Sequence, residues 1–133
     1  MSVIKILKSY RNVAMVGVSV DPAKPSNIVF RYLSEHGYNV IPVNPTISGE
    51  VLGKKCYASL TDIPEKVEVV DIFRRSEDIV PIVEEAIKIG AKAVWMQEGI
   101  INNIAAEKAQ SAGLMVIMDK CMRKEHIRLT EEG

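Results

Sequence analysis

The feature that most constrains the fold is a repeated change in apolar periodicity along the chain. Five short runs are almost continuously apolar, which is typical of strands buried on both faces of a sheet. Segments with apolar residues at helical spacing separate most of these runs. The runs are Val13–Val18, Asn39–Val43, Val67–Phe73, Ala93–Met96 and Leu114–Met118. This alternation predicts an α/β fold: a doubly wound, mostly parallel five-stranded sheet with helices on both faces.

Helix stop signals and one proline set the predicted limits of the helices. The predicted helices are Ser26–His36, Arg75–Ile89, Asn103–Ala112 and a terminal helix over Arg123–Leu129, and the first three are each followed by a glycine. Pro81 fits the first turn of a helix, which moves the start of the second helix towards Asp78. Thr46–Tyr57 is less regular and predicts a short hairpin or an edge strand.

Composition restricts the cellular setting and the partners. The 133 residues are 47% hydrophobic, which suits one domain over residues 1–133 with a sizeable core. Seventeen basic and seventeen acidic residues give zero net charge, which disfavours nucleic acid and anionic membranes as partners. No run approaches the roughly 20 apolar residues of a membrane-spanning helix. We therefore expect a cytoplasmic protein.

The chain has only two cysteines and two histidines, which disfavours both a metal site and a disulfide. Cys56 and Cys121 are far apart and form no CxxC motif, so we expect no metal site. A disulfide between them is disfavoured in a cytoplasmic chain.

Ligands of a doubly wound sheet bind beyond the carboxyl ends of its strands, so the residues after each strand are candidates. After the first strand, Gly17 lets backbone approach a phosphate, the helix start offers N–H groups, and Lys24 adds a cation. An ordinary turn with a solvated lysine is the alternative. The glycine spacing does not match a dinucleotide fingerprint, and Val43-Asn44-Pro45 offers no carboxylate for a ribose. Both features disfavour NAD.

The third and fifth strands end in residues with useful chemistry. Phe73 and two arginines, Arg74 and Arg75, follow the third strand; a guanidinium binds phosphate bidentately and a phenyl face packs on a purine. Alternatively the arginines are solvated, or Arg75 pairs with the nearby Glu77 or Asp78. Cys121 follows the fifth strand and could meet a reactive ligand group or be a small buried hydrophobe. No set of residues sufficient for catalysis is evident.

Four segments, in this order, resemble a known family. They are VAMVGVSVDPAKPSNIVFRYLSEHGYNVIPVNP, VVDIFRR, AVWMQEGI and VIMDKC. The chain resembles the small single-domain CoA-binding proteins, which are related to the CoA-binding domain of the succinyl-CoA synthetase alpha subunit and of NDP-forming acyl-CoA synthetases. The resemblance covers Ile6 to Leu129. It implies a Rossmann-like domain that binds coenzyme A, or an acyl-CoA, at the strand ends.

The resemblance also implies roles for individual residues. The turn after the first strand would hold phosphates, the second strand end would form a wall beside the nucleotide, and the third would contact CoA. Cys121 would lie near the thiol. Together with Ser26 and Gln97, which follow the first and fourth strands, the candidate cofactor-binding residues are Gly17, Val18, Ser19, Lys24, Ser26, Val43, Asn44, Pro45, Ile72, Phe73, Arg74, Arg75 and Gln97. We expect Gly17→Val to block the ligand while the protein stays folded.

The related synthetases have a further domain with a phosphohistidine and a partner subunit that binds nucleotide. The 133 residues contain neither. We therefore expect a CoA-binding protein that is not catalytic by itself. The alternatives are a redox protein or enzyme that uses Cys121, a module that partners an acyl-CoA synthetase, and an NAD(P)-binding domain. A homodimer is a further possibility for the assembly.

Overall fold

The computed structural model describes residues 2–132, so Met1 and Gly133, the ends of the predicted domain, lie outside the described residues. The helices are α1 Ser2–Ser9, α2 Pro25–Glu35, α3 Ile79–Lys88, α4 Asn103–Ser111 and α5 Met122–Glu132. The strands are β1 Asn12–Val16, β2 Asn39–Val43, β3 Glu50–Val51, β4 Lys54–Lys55, β5 Val69–Ile72, β6 Ala93–Met96 and β7 Met115–Ile117. Strands β3 and β4 form a small antiparallel hairpin.

Five strands form one sheet in the order β2-β1-β5-β6-β7, and all four pairings are parallel. At the end of β1, Val16 lies beside Val43 of β2 on one side and Ile72 of β5 on the other. The chain therefore moves outward to β2 and then crosses back over β1 to β5. This reversal places the topological switch point between β1 and β5, where ligands of such sheets bind.

Alternate residues of each strand pack into two separate apolar cores, one on each face of the sheet. Val13 and Met15 of β1 belong to the core that α1, α2 and α5 cover. Ala14 and Val16 belong to the core that α3 and α4 cover. The predicted α/β fold, with a parallel five-stranded sheet and helices on both faces, is confirmed.

The main element that the sequence patterns do not predict is α1. Its short length hides the helical period, but it buries Ile6 and Leu7 completely against the sheet. The hydroxyl of Tyr38 donates to the Leu7 carbonyl over 2.6 Å, which satisfies an acceptor at the end of this helix. Elsewhere the limits agree closely: Pro81 lies in the first turn of α3, and the predicted hairpin occurs within Thr46–Tyr57.

Both histidines lie in an aromatic cluster between α2 and α5. A hydrogen bond of 2.7 Å joins the Tyr32 hydroxyl to Nδ1 of His126, and His36 stacks on Tyr32 with ring centroids 4.0 Å apart. Burial, followed by the nearby His36 and Arg11, lowers the pKa of His126 below its usual value of 6.5. The folded state therefore binds fewer protons at this ring than the unfolded state does.

We expect the cluster to lose stability as the pH falls below about 6.5, because unfolding then takes up a proton at His126. The measurement is the free energy of unfolding of the wild type and of His126→Gln between pH 5.5 and 7.5. The stability advantage of the wild type should shrink towards the acid end. A difference that does not change with pH would contradict this assignment.

Candidate functional site

The loops that follow β1 and β5 pack backbone against backbone at Gly17. The φ of Gly17 is +88°, and a Cβ there would lie 2.4 Å from the Phe73 carbonyl oxygen and 3.0 Å from Cδ of Arg74. The N–H of Gly17 donates to the Val43 carbonyl over 2.9 Å, so this donor is already used within the protein. Gly17→Val would displace the Phe73 backbone, and the expectation that it acts on the ligand alone is wrong.

Side chains from neighbouring elements brace the loop between β1 and α2. The Ser26 hydroxyl accepts from the Ser19 N–H over 2.9 Å, and Nδ2 of Asn27 donates to the Ser19 carbonyl over 2.8 Å. Nδ2 of Asn44 donates to the Val18 carbonyl over 2.9 Å, which ties the β2 end to the same loop. Ser26 and Asn44 thus hold the loops in place, a role that the sequence patterns do not reveal.

The cations of the site differ in how they are paired. Lys24, at the start of α2, is exposed, and its ammonium group contacts no acceptor among residues 2–132. Arg74 and Arg75 share one carboxylate: Nη2 of Arg74 and Nε of Arg75 each lie 3.3 Å from Oδ2 of Asp78. The pairing of Arg75 with Asp78 is the alternative considered from the sequence. Solvent-accessible pairs of this kind contribute about 0–1 kcal/mol, so a phosphate group can replace the carboxylate.

Two cavities meet at Arg74, which lines both. The first cavity, of about 230 Å³, opens on the α3 side of the sheet and is lined by Val16, Gly17, Val43, Pro45, Ala58, Ser59, Leu60, Arg74, Asp78, Ile82 and Glu85. The second cavity, of about 470 Å³, opens on the α2 side and is lined by Pro25, Val29, Phe73, Arg74, Arg75, Gln97, Glu98, Ile100 and Cys121.

The candidate residues therefore divide into lining residues and supporting residues. The structure brings Gly17, Val43, Pro45 and Arg74 to the first cavity, and Phe73, Arg74, Arg75, Gln97 and Cys121 to the second. The lining of neither cavity includes Val18, Ser19, Lys24, Ser26, Asn44 or Ile72. Of these, Val18 and Ile72 are fully buried core residues.

A buried polar pair lies behind the wall of the second cavity. Asp71, in β5, has no exposed surface, and its Oδ1 accepts a hydrogen bond from Nε2 of Gln97. Its second oxygen, Oδ2, has no hydrogen-bond partner. Burial raises the pKa of Asp71 to about 7, and the hydrogen bond from Gln97 partly opposes that shift. Asp71 is not among the residues predicted from the sequence, although a carboxylate inside the apolar run VEVVDIF is a visible signal.

Cys121 is buried immediately before α5 and contributes to the wall of the second cavity. Both cysteines are free thiols. The rings that contact His126 belong to Tyr32, His36 and Tyr38, and Nδ1 of His126 is bonded to Tyr32. His126 is therefore committed to the aromatic cluster, and the contacts described for it do not make it a base for Cys121.

Residues 2–132 contain neither a candidate metal cluster nor a helix that could span a membrane. No three His, Cys, Asp or Glu side chains within this range are grouped so that they could hold a metal ion. In the same range, no helix combines the length and the apolar character that crossing a membrane requires.

A parallel sheet with this strand order, and with cavities at its switch point, defines a Rossmann-like domain. The family described as CoA binding domain matches residues 11–127, and the chain belongs to that family.

The relatives of this chain include an uncharacterized protein and an enzyme. The uncharacterized protein YneT of Bacillus subtilis is 38% identical over 122 residues, which cover 92% of this chain and 90% of YneT. An acetate–CoA ligase (ADP-forming) of Methanocaldococcus jannaschii is 25% identical over 95% of this chain, but the chain spans only 19% of that ligase. A solved structure of a hypothetical protein from Pyrococcus horikoshii OT3 has a TM-score of 0.93 and 48% identity, covering 97% of this chain and 90% of that one.

We expect Gly17→Ala to destabilise the protein by about 2–4 kcal/mol, because it adds a backbone clash to the strain of a positive φ. Gly37→Ala is a matched control, since its φ is +90° but a Cβ there would meet nothing within 4 Å. The control should cost only about 1 kcal/mol, the strain alone. Chemical denaturation measures both values. Equal losses would show that the contact with Phe73 is not a constraint.

Proposed function

We propose that the chain binds coenzyme A, or an acyl-CoA, at the carboxyl ends of β1, β2, β5 and β6 and is not catalytic by itself. The observation that carries the proposal is the position of Arg74 between two cavities at the switch point. CoA would fit this arrangement because it has two parts, a 3′-phosphorylated adenosine and a pantetheine arm, on either side of a pyrophosphate. Membership of the CoA binding domain family supports the same ligand.

The chemistry of the two cavities favours one orientation of the ligand. Apolar side chains such as Val43, Leu60 and Ile82 line the first cavity, which suits the flat adenine base. Two carboxylates, Asp78 and Glu85, also line it and would repel phosphates buried there. We therefore assign the adenine to the first cavity and the pantetheine arm to the second.

The phosphates then lie at the boundary between the two cavities, which Arg74 forms and which we call the ridge. Arg74 and Arg75 are within reach of this ridge, and Lys24 contributes a further cation at the start of α2. The loop of Gly17, Val18 and Ser19 would form the backbone surface beside the phosphates. The thiol end of the arm would approach Cys121, which lines the second cavity.

The cellular role follows from the same proposal. We infer one domain that works in the cytoplasm, where the two thiols would stay reduced. The similarity to part of an acetate–CoA ligase makes a synthetase a candidate partner, and a homodimer is the other candidate assembly. Binding without catalysis is favoured because His126 is hydrogen-bonded to Tyr32 and is therefore not paired with Cys121 as a base.

The test is the thermal stability of ligand-free protein with CoA, dephospho-CoA and NAD at matched concentrations. CoA at 100 times its Kd should stabilise the fold by about 2.7 kcal/mol, and dephospho-CoA should stabilise it less. NAD should have no effect. Absence of any shift with CoA would overturn the proposed function.

Two variants with opposite expected effects test the ridge. In the wild type, CoA binding would replace the weak Arg74–Asp78 ion pair with a charge-assisted phosphate contact. Arg74→Ala cannot make this contact and should weaken CoA binding by about 1–2 kcal/mol. Asp78→Asn should strengthen CoA binding several-fold, because it frees both guanidinium groups. Arg128→Ala and Glu84→Gln are the matched controls, since both residues form exposed ion pairs elsewhere. Isothermal titration calorimetry measures all four, and unchanged affinity in Arg74→Ala and Asp78→Asn would remove the phosphates from this ridge.

A second candidate function rests on the position of Cys121 in the second cavity. A disulfide between Cys121 and the CoA thiol would form with transfer of two electrons to an added oxidant such as hydrogen peroxide. Mass spectrometry should then find a CoA-sized adduct that reductant removes and that Cys121→Ser abolishes. Cys56 is the internal control, because it is buried and is not among the residues that line the second cavity. Unmodified Cys121 under these conditions would exclude this function.

A further inference from the structure

The buried pair of Asp71 and Gln97 is the polar feature of the core that the fold itself does not require. Asp71 lies between Met15 of β1 and Trp95 of β6 in the sheet, and all three are fully buried. Asp71 makes one hydrogen bond, to Gln97, and leaves Oδ2 without a partner. Gln97 in turn lines the second cavity. The pair therefore connects the centre of the sheet to the surface on which a ligand would lie.

We propose that Asp71 is a positioning residue that fixes the side-chain amide of Gln97, so that Gln97 offers its Oε1 to an N–H donor of the ligand arm in the second cavity. This inference rests on the proposed function. The donor class is the secondary amide, which the pantetheine arm of CoA carries twice. Asp71 itself does not touch the ligand.

The argument starts from the two ends of the Gln97 amide. An ionised carboxylate can only accept hydrogen bonds, so it selects the NH₂ end of the amide. Nε2 of Gln97 accordingly donates to Oδ1 of Asp71. The carbonyl end is then directed away from Asp71, and Oε1 has no hydrogen-bond partner among residues 2–132. An unpaired amide oxygen beside the apolar side chains of Val29 and Phe73 gains most from a ligand that donates to it.

The protonation state of Asp71 gives the orientation a distinct signature. A protonated carboxyl can donate to the amide oxygen, which would reverse Gln97 and present its NH₂ group to the cavity. The pKa of Asp71 is about 7, with burial as the main cause, so the reversal falls in an accessible range of pH. The titratable and charged groups that line the same cavity are Arg74, Arg75, Glu98 and Cys121, and none of them bonds to Asp71.

The experiment measures the affinity of two ligands by calorimetry for the wild type, Gln97→Leu and Asp71→Asn. The ligands are CoA and adenosine 3′,5′-bisphosphate, which has the nucleotide but not the arm. Gln97→Leu should weaken CoA binding about five- to tenfold and change bisphosphate binding by less than about twofold. Circular dichroism confirms that each variant is folded.

The dependence of CoA affinity on pH distinguishes a positioning role of Asp71 from a purely structural one. An asparagine at position 71 does not titrate and, like the protonated carboxyl, can both donate to and accept from the Gln97 amide. Asp71→Asn should therefore match the wild type at pH 6, whereas at pH 8, where the wild-type carboxylate fixes Gln97, Asp71→Asn should bind CoA several-fold more weakly than the wild type does. Titration of the ligand itself cancels in this ratio, because both proteins bind the same ligand.

The outcomes are distinct. A loss confined to CoA in Gln97→Leu, together with a pH-dependent ratio, supports the inference. Equal losses for CoA and the bisphosphate, or identical pH profiles of the wild type and Asp71→Asn, overturn it while CoA binding stands. Absence of CoA binding to the wild type overturns both the proposed function and this inference.

Discussion

The close approach of two backbones at Gly17 is the constraint on which the candidate site depends. Strands β1 and β5 are neighbours in the sheet, so the loops that follow them emerge side by side at the switch point. A residue with a side chain at position 17 would meet the Phe73 carbonyl at 2.4 Å. The missing Cβ lets Arg74 lie across the strand ends, where it borders both cavities. The glycine thus acts through packing between loops, rather than through a free N–H group.

Electrostatic balance explains how a chain of zero net charge can still offer an anion site. The two arginines near the switch point, Arg74 and Arg75, share one weak partner, Asp78. The pairs are solvent-accessible, so their loss costs about 0–1 kcal/mol each. A multiply charged phosphate group gains more than this from two guanidinium groups. The ion pairs partly balance the charge of the two guanidinium groups without competing strongly with a ligand.

The sequence predicts most of the fold because the sheet is buried on both faces. Continuous apolar runs such as Val13–Val18 mark such strands whatever their partners are, and all five runs correspond to strands. Helix α1 escapes prediction because its stability comes from tertiary packing of Ile6 and Leu7, and its eight residues are too few for a periodic pattern.

Prediction of the site is less complete for a physical reason. Position after a strand end identifies Arg74 and Gln97, and both line a cavity. It cannot distinguish a lining residue from a bracing one, because that depends on which loop lies opposite. Ser26 and Asn44, predicted to contact the cofactor, each form a hydrogen bond with the loop backbone in addition to any such contact.

The burial of Asp71 is costly enough to require an explanation beyond folding. A carboxyl whose pKa is about 7 rather than 3.8 carries a penalty on the order of 4 kcal/mol once ionised. A valine or leucine at this position would avoid the penalty and would suit the Met15 and Trp95 neighbours. Side chains alternate along β5, so Val69 and Asp71 face the same core that α2 covers, which is also the side of the second cavity. The hydrogen bond of Asp71 with Gln97, which lines the second cavity, connects this departure from apolar packing to the proposed ligand.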